Sequence, residues 1–324
     1  MKCGRICRSL SPLTLYLAWT LSTWAGAQPV DVSRAQSHHL LGHSGQVYGV
    51  ALSADGRRLL SGGLDHTVRF WDAEVGRELN RFRHEAWVRS VALTTDGHRA
   101  LSGGDDKTVR LWDVEAGREL KQFQGRSEEV YGVALSTDGS RAASGGVDGV
   151  LRLWDTESGR ELKRFQHECP INAVALSPDG RLAVTGCHDK TVVSWDVEVG
   201  RELKRFRGHT GEVNSVALSA DGRRILSGGD DGTVRLWEAA TGRELRCLVG
   251  HEAEVNGVAF LLGDRRAASG SHDKTVRLWD LETGREVGRL EHDSPVQCLA
   301  VSADGRSAAA GCHDHSVQLW KLSK

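Results

Sequence analysis

Ser102-Gly103-Gly104-Asp105-Asp106-Lys107-Thr108-Val109-Arg110-Leu111-Trp112-Asp113 is the stretch that decides the architecture, because close copies of it recur along the chain. Its tryptophan has six counterparts, each 41 or 42 residues from the next: Trp71, Trp154, Trp195, Trp237, Trp279 and Trp320. A fixed period of this length indicates one supersecondary unit repeated seven times. A unit of about four short strands cannot bury both faces of its small sheet alone, so the copies are expected to stack radially into a ring.

Each copy predicts four strands joined by tight turns. In the copy from His209 to Leu248 the strands are expected at 213–218, 224–227, 233–237 and 244–248, with a hairpin turn at Asp221-Gly222. The sixth copy inverts this dipeptide to Gly263-Asp264, so a different turn is expected there. The predicted fold class is all-β: a seven-bladed propeller of four-stranded antiparallel blades.

The two ends of the array are expected to share one blade. The last copy stops four residues after Trp320, which leaves no room for a fourth strand, while the segment from Gln36 to Leu41 precedes the first copy. Pairing of this segment with the strand that ends at Trp320 would close the ring and cover an exposed sheet edge.

The first 27 residues have the composition of a secretory signal peptide. Lys2, Arg5 and Arg8 precede an apolar stretch over 10–19, and small residues follow at Ala25-Gly26-Ala27. We expect cleavage after Ala27, export to the periplasm or the medium, and a single propeller domain over 28–324. The alternative is a membrane anchor formed by an uncleaved leader.

The charge balance argues against a nucleic-acid partner. The chain has 42 basic and 43 acidic residues, a net charge of −1 that becomes −4 once the three basic residues of the leader are removed. No basic field therefore recruits nucleic acid. We expect a monomer.

The cysteines suggest neither a disulfide framework nor a zinc ribbon. The five that follow the leader are odd in number and irregularly spaced, and their redox state is left open: Cys169, Cys187, Cys247, Cys298 and Cys312. Two runs, 187–189 and 312–315, combine cysteine, histidine and aspartate, but they fall on blades across the ring. We therefore expect no metal and no cofactor, with a site between His272 and His313 as the remaining alternative.

The recurrent Gly-His, Trp-Asp and the aspartate six residues before each tryptophan resemble the WD-repeat β-propeller family. The histidine position precedes that aspartate by 22 residues in every copy. In the family, His, Ser or Thr, Asp and Trp form a buried hydrogen-bonded tetrad in each blade. The resemblance implies five complete sets: His43, Ser61, Asp65 and Trp71; His84, Ser102, Asp106 and Trp112; His167, Thr185, Asp189 and Trp195; His209, Ser227, Asp231 and Trp237; His251, Ser269, Asp273 and Trp279.

Two copies lack one member of the tetrad. The third has Arg126 in place of the histidine, and the seventh has Ala310 in place of the serine, so these blades are expected to be less tightly tied. Ser, His and Asp in one blade also match a catalytic triad by residue type. Catalysis needs one exposed site, whereas a structural device recurs in every blade, so we predict that the protein is not an enzyme.

Three positions in each copy vary most and face the partner-binding opening in the family. They lie three and five residues after the histidine position and just before the tetrad aspartate. Every Trp or Tyr that follows the leader and is not part of the repeat falls there, with one arginine between them: Tyr48, Trp87, Arg89 and Tyr131. Such residue types dominate interface energetics. Carboxylates occupy others of these positions: Asp105, Glu129, Glu212, Asp230 and Glu254.

The sequence thus predicts a non-catalytic scaffold that docks a protein or peptide carrying basic groups. Three alternatives remain. In the first, the aromatic side chains only cover the rim. In the second, the central channel serves a small-ligand or metal-binding receptor or an enzyme; in the third, the propeller is a spacer without a discrete site.

Overall fold

The computed structural model describes residues 36–123 and 128–322, and these residues form seven four-stranded antiparallel sheets. Each sheet contacts the next through its first strand, which lines the central channel. The predicted fold class is confirmed. The predicted leader, 1–27, lies outside the described residues, and the domain boundary at residue 27 stays a prediction.

The strands follow the repeat closely. The first blade contains β2 (Val47–Leu52), β3 (Arg58–Gly63), β4 (Thr67–Asp72) and β5 (Arg77–Arg83). The second contains β6 (Val88–Leu93), β7 (Arg99–Gly104), β8 (Val109–Asp113) and β9 (Arg118–Phe123). The third contains β10 (Val130–Leu135), β11 (Arg141–Gly146), β12 (Val150–Asp155) and β13 (Glu161–Gln166). The fourth contains β14 (Ile171–Leu176), β15 (Leu182–Cys187), β16 (Thr191–Asp196) and β17 (Arg201–Arg207).

The remaining blades have the same order. The fifth contains β18 (Val213–Leu218), β19 (Arg224–Gly229), β20 (Thr233–Glu238) and β21 (Glu244–Val249). The sixth contains β22 (Val255–Phe260), β23 (Arg266–Ser271), β24 (Thr275–Asp280) and β25 (Arg285–Glu291). The seventh contains β26 (Val296–Val301), β27 (Ser307–Cys312), β28 (Val317–Lys321) and, from the other end of the chain, β1 (Gln36–Leu40).

The hairpins between the first two strands show why Asp-Gly recurs. In the first blade the Ser53 hydroxyl donates to Asp55 at 2.7 Å, and Gly56 takes a φ of +65° to close the turn. Glycine adopts this left-handed conformation without strain. In the sixth blade Gly263 and Asp264 both have positive φ, at 76° and 53°. The expectation of a different turn there is confirmed.

The closing strand pairs as the sequence predicts. β1 runs antiparallel to β28, with Gln36 opposite Lys321 and Leu40 opposite Val317. The side chain of Leu40 is 3% exposed and packs in a core shared by the seventh and first blades. The N-terminal segment therefore completes the last blade and contributes to the apolar contact that closes the ring.

Apolar contacts between blades hold the ring together, and the Ser-Gly-Gly phrase makes room for them. A Cβ added at Gly62 would lie 2.6 Å from a methyl group of Val88 in the next blade, so only glycine allows this approach. The ring of Phe82 in the first blade lies 4.9 Å from that of Trp112 in the second. Each core cluster thus joins two neighbouring blades.

Two observations concern the expectations about the membrane and the third blade. Within the described residues, no helix has the length and apolar character needed to cross a membrane. Arg126, the residue that replaces the histidine of the third blade, lies outside the described residues.

Two adjacent leucines test the closure. Leu40→Ala removes a buried side chain of the closing strand and is expected to lower the free energy of unfolding by about 2–4 kcal/mol. Leu41→Ala, at a side chain that is 76% exposed, is expected to change it by less than about 0.5 kcal/mol. Urea unfolding of both variants measures the difference, and equal effects would contradict a structural role for β1.

Candidate functional site

A hydrogen-bonded chain of four side chains lies inside the first, second, fifth and sixth blades. The histidine Nε2 is 2.7–2.8 Å from a serine Oγ, and its Nδ1 is 2.7–3.0 Å from an aspartate oxygen. The tryptophan Nε1 donates to the same serine at 2.7–2.8 Å. The members are His43, Ser61, Asp65 and Trp71; His84, Ser102, Asp106 and Trp112; His209, Ser227, Asp231 and Trp237; His251, Ser269, Asp273 and Trp279.

The hydrogen-bonded network of the tetrad extends further than the sequence analysis expected. In the first blade the Thr67 hydroxyl donates to Asp65 at 2.7 Å. Arg69 lies 3.4 Å from Asp65 and donates to Glu78 at 2.7 Å, which links the tetrad to the outermost strand. The phrases Thr-Val-Arg and Arg-Glu-Leu recur in the repeats, and this recurrence could have indicated from the sequence that Thr67, Arg69 and Glu78 belong to the network.

The hydrogen-bond partners of the tetrad aspartates favour the ionised form. Burial raises the pKa of Asp65 and Asp106, but the interactions with the histidine, together with hydrogen bonds from the threonine and the backbone, outweigh it. Each pKa therefore lies well below its usual value. Burial, opposed by hydrogen bonds from Thr275 and His251, leaves the pKa of Asp273 at about 2.

The seventh blade lacks part of this chain. Ala310 supplies no hydroxyl, and the buried His292 Nε2 has no hydrogen-bond partner among the described residues. The Sγ of Cys312 lies 3.7 Å from the other ring nitrogen, Nδ1. Burial lowers the pKa of His292 to about 4, so the imidazole is neutral. The third blade keeps the bond from Trp154 to Ser144 at 2.8 Å.

The fourth blade departs from the set expected for it. His167 bonds to Thr185 at 2.9 Å and Trp195 donates to the same hydroxyl at 3.2 Å, but the described structure contains no hydrogen bond between His167 and Asp189. The Sγ of Cys187 instead faces the His167 Nδ1 at 3.5 Å. A Cβ at the equivalent Gly63 would lie 3.0 Å from His43 Nδ1 and 3.3 Å from an Asp65 oxygen, so the bulky thiol of Cys187 takes the space that the aspartate fills in the first blade. The smaller Ser271 of the sixth blade leaves the bond between His251 and Asp273 in place.

A group with the donor atoms of a metal site results. The ligand atoms of His167, Cys169 and Cys187 all lie within 4.8 Å of one another. Burial lowers the pKa of His167 to about 4. A hydrogen bond from Cys187 lowers the pKa of Cys169. The sequence analysis did not find this group, because it considered Cys187 as a metal ligand only with its chain neighbours His188 and Asp189.

The variable positions surround the mouth of the central channel, which opens into a cavity of about 440 Å³. All seven residues five positions after the histidine position line this cavity: Tyr48, Arg89, Tyr131, Asn172, Asn214, Asn256 and Gln297. They lie at the start of the innermost strands, so the tetrad histidines just before them fix their positions.

Arg89 lies at the centre of the aromatic residues singled out by the sequence. Its guanidinium carbon is 5.3 Å from the ring centre of Tyr48, 4.9 Å from that of Trp87 and 5.5 Å from that of Tyr131. Two nitrogens of Arg89 donate to the two oxygens of Asp105, both at 2.8 Å. We call these five residues the Arg89 cluster. The Trp87 side chain remains 43% exposed.

The carboxylates of the rim have partners of their own. Asp105 forms a bidentate pair with Arg89, so its charge is balanced within the Arg89 cluster. Glu212 pairs with His188 at 2.6 Å and Glu254 with His272 at 2.5 Å. Asn214 donates to Asp230 at 2.6 Å.

The histidines considered as metal ligands are also engaged elsewhere. His313 accepts from the Gln46 amide at 2.6 Å, while His272 pairs with Glu254. The group of metal-ligating side chains found among the described residues contains neither histidine.

Fold and rim together define a seven-bladed propeller that presents a polar and aromatic face around a central channel. The family model "WD domain, G-beta repeat" (WD40) matches seven segments of the chain: 34–72, 76–113, 117–155, 159–196, 200–238, 242–280 and 284–321. The chain therefore belongs to the WD40 family, whose propellers are commonly non-catalytic protein-interaction scaffolds. A search of curated proteins gives no significant match.

Two substitutions at the serine position test the tetrad: one removes the hydroxyl and the other restores it. Ser102→Ala leaves His84 and Trp112 without their shared partner and is expected to lower the free energy of unfolding by about 1–3 kcal/mol. Ala310→Ser supplies the missing hydroxyl to His292 and is expected to raise it by about 1 kcal/mol. Urea unfolding measures both, and a destabilising Ala310→Ser would show that the seventh blade has no room for the bond.

The neutral His292 predicts a dependence of stability on pH. Unfolded histidine has a pKa of about 6.5. As the pH falls from about 6.5 to about 4, the unfolded chain takes up a proton that the folded protein excludes at His292. Stability is therefore lost in this window, at up to about 1.4 kcal/mol per pH unit for one residue.

His292→Gln isolates that contribution. Urea unfolding between pH 7 and 4.5 is expected to show a shallower loss of stability for His292→Gln than for the wild type. The tetrad aspartates lose their contribution at lower pH, since their pKa values lie below the usual range. Parallel curves for the two proteins would show that His292 is not kept neutral by the fold.

Proposed function

We propose that this protein is an exported, monomeric, non-catalytic docking platform that binds a protein or peptide with basic groups at the Arg89 cluster. The observation that carries the proposal is the convergence of Tyr48, Trp87 and Tyr131 on one arginine at the channel mouth. Export rests on the composition of 1–27 alone.

The cluster has the features of an interface centre. The bidentate pair with Asp105 and the three rings hold Arg89 in one position, so little side-chain entropy remains to be lost on binding. Trp87 presents a large exposed ring beside this fixed group. Tryptophan, tyrosine and arginine are the residues most often found where binding energy concentrates.

The charge of the rim favours a basic partner. The variable positions hold five carboxylates and one arginine. Because Asp105 and Arg89 neutralise each other, four carboxylates remain: Glu129, Glu212, Asp230 and Glu254. Complementary charge on the partner would speed encounter and fix its orientation more than it would add affinity.

The buried tetrads support a non-catalytic function. Ser61, Ser102 and Ser227 are each 0% exposed, so a substrate has no path to their hydroxyls. Each hydroxyl also accepts a hydrogen bond from a tryptophan, as Ser102 does from Trp112 at 2.7 Å. A nucleophile needs an exposed oxygen and a single asymmetric site, and neither condition holds here.

Binding can be tested with a random peptide library displayed on phage and selected on the purified protein. Selected peptides are expected to be rich in Lys and Arg. Trp87→Ala should weaken binding of a synthesised peptide by more than about tenfold. The matched control is Leu262→Ala, which truncates an even more exposed apolar side chain in a hairpin at the opposite opening and should leave affinity unchanged.

Charge can be tested separately from the aromatic contact. Glu212→Gln with Glu254→Gln should slow association and flatten its dependence on salt. The control is Glu74→Gln with Glu157→Gln, which makes the same charge change at the opposite opening. If selection yields no peptide, or if Trp87→Ala binds as well as Leu262→Ala, the docking site is wrong and a ligand of the central channel becomes the better hypothesis.

A further inference from the structure

Two cysteines stand beside His167 at positions where the other blades hold other residues. At the position equivalent to Cys187, four blades have glycine, the sixth has Ser271 and the seventh has Cys312. At the position equivalent to Cys169, two residues after the histidine position, five blades have Gly, Ala or Ser and the third has Glu128. The fourth blade is the one copy that carries both cysteines and the histidine.

We propose that His167, Cys169 and Cys187 bind a zinc ion in the fourth blade. The ligand set would be the His167 Nδ1 and two thiolates, with a water molecule in the fourth position. Nitrogen and sulfur ligands of this kind favour zinc over the hard cations that prefer oxygen. On binding, each thiol releases its proton, and the two thiolates balance the charge of the ion.

The distances suit a tetrahedral site. With zinc bonds of about 2.3 Å to sulfur and about 2.05 Å to nitrogen, a tetrahedral S–N edge is about 3.6 Å long. The Sγ of Cys187 and the Nδ1 of His167 are 3.5 Å apart. All three ligand atoms lie within 4.8 Å of one another, so small side-chain rotations bring them around one ion.

The surroundings of His167 leave Nδ1 available as a ligand. The Thr185 hydroxyl donates a hydrogen bond to the Val193 carbonyl at 3.4 Å and accepts one from the Trp195 indole. With that hydroxyl donating to Val193, the His167 Nε2–H donates to Thr185, at 2.9 Å. That tautomer places the Nδ1 lone pair toward Cys187. A histidine ligand held by a hydrogen bond on its other nitrogen is the usual arrangement in metal sites.

Two further features favour the fourth blade. His167 and Cys187 are buried, whereas Cys169 is half-buried and gives an ion a path from solvent. Asp189 has left its tetrad position and hydrogen-bonds to Cys169 on that side. In the seventh blade, Ser294 stands where Cys169 does, so its histidine and cysteine lack the third ligand.

The experiment uses full-length protein, reduced and freed of metal by a chelator under argon. After addition of zinc chloride and gel filtration, metal analysis is expected to give about one zinc per chain. The melting temperature should rise by about 4 °C at a free zinc concentration 100 times the dissociation constant. Cobalt(II) in place of zinc should give the thiolate charge-transfer absorption and the visible bands of a tetrahedral site.

The variants are chosen to preserve the fold. Cys187→Gly and Cys169→Ala install residues that other blades carry at these positions, so both should fold and both should lose zinc and the cobalt absorption. Cys312→Gly, in the seventh blade, and Cys247→Ser, at an exposed cysteine, are the controls and should keep both signals. Circular dichroism establishes that each variant is folded.

Two results would overturn the proposal. One is reduced wild-type protein that retains no zinc and shows no charge-transfer absorption with cobalt. The other is Cys187→Gly protein that retains zinc as the wild type does. Since the three ligands lie on the fourth blade, whereas the residues of the Arg89 cluster lie on the first three, the peptide-binding experiments are independent of both outcomes.

Discussion

The buried serine hydroxyl of the Ser-Gly-Gly phrase is the contact on which the order of each regular blade depends. In the second blade the Ser102 oxygen is 2.7 Å from both the His84 imidazole and the Trp112 indole. His84 in turn reaches Asp106 in the turn after the second strand. One atom thus joins the third strand, the second strand and the loop that enters the blade. An unmade bond here leaves polar groups buried without water, which explains why the phrase recurs so closely.

This contact also positions the surface. The variable residues lie three and five positions after the tetrad histidine and one before the aspartate, so the tetrad fixes the two loops that carry them. Arg89 follows His84 by five residues and Asp105 precedes Asp106, and these two then pair at 2.8 Å. Stability of the blade interior and order of the channel mouth are therefore two results of the same hydrogen bonds.

Much of this could be predicted from the sequence, because the period fixes the number of blades and the ends fix the closure. The contacts that could not be predicted depend on distances across a hairpin. Cys169 and Cys187 are 18 residues apart, and their proximity to His167 follows from how closely the glycine position approaches the imidazole. The pairing of Asp105 with Arg89 depends on side-chain direction in the same way. A repeat pattern gives the position of each residue but not which of several neighbours its side chain reaches.

The neutral Arg89 cluster affects how the proposed docking face would work. With its guanidinium held by Asp105 and the faces of three rings, Arg89 has few donors left for a partner, so it acts mainly as a support that keeps the rings apart. A partner would meet the exposed part of Trp87 and the remaining carboxylates of the rim. Affinity would then come from apolar contact with a rigid ring, and preference for basic groups from charges placed around it. This division matches the general separation between the centre of an interface, which is desolvated, and its rim, which stays in water.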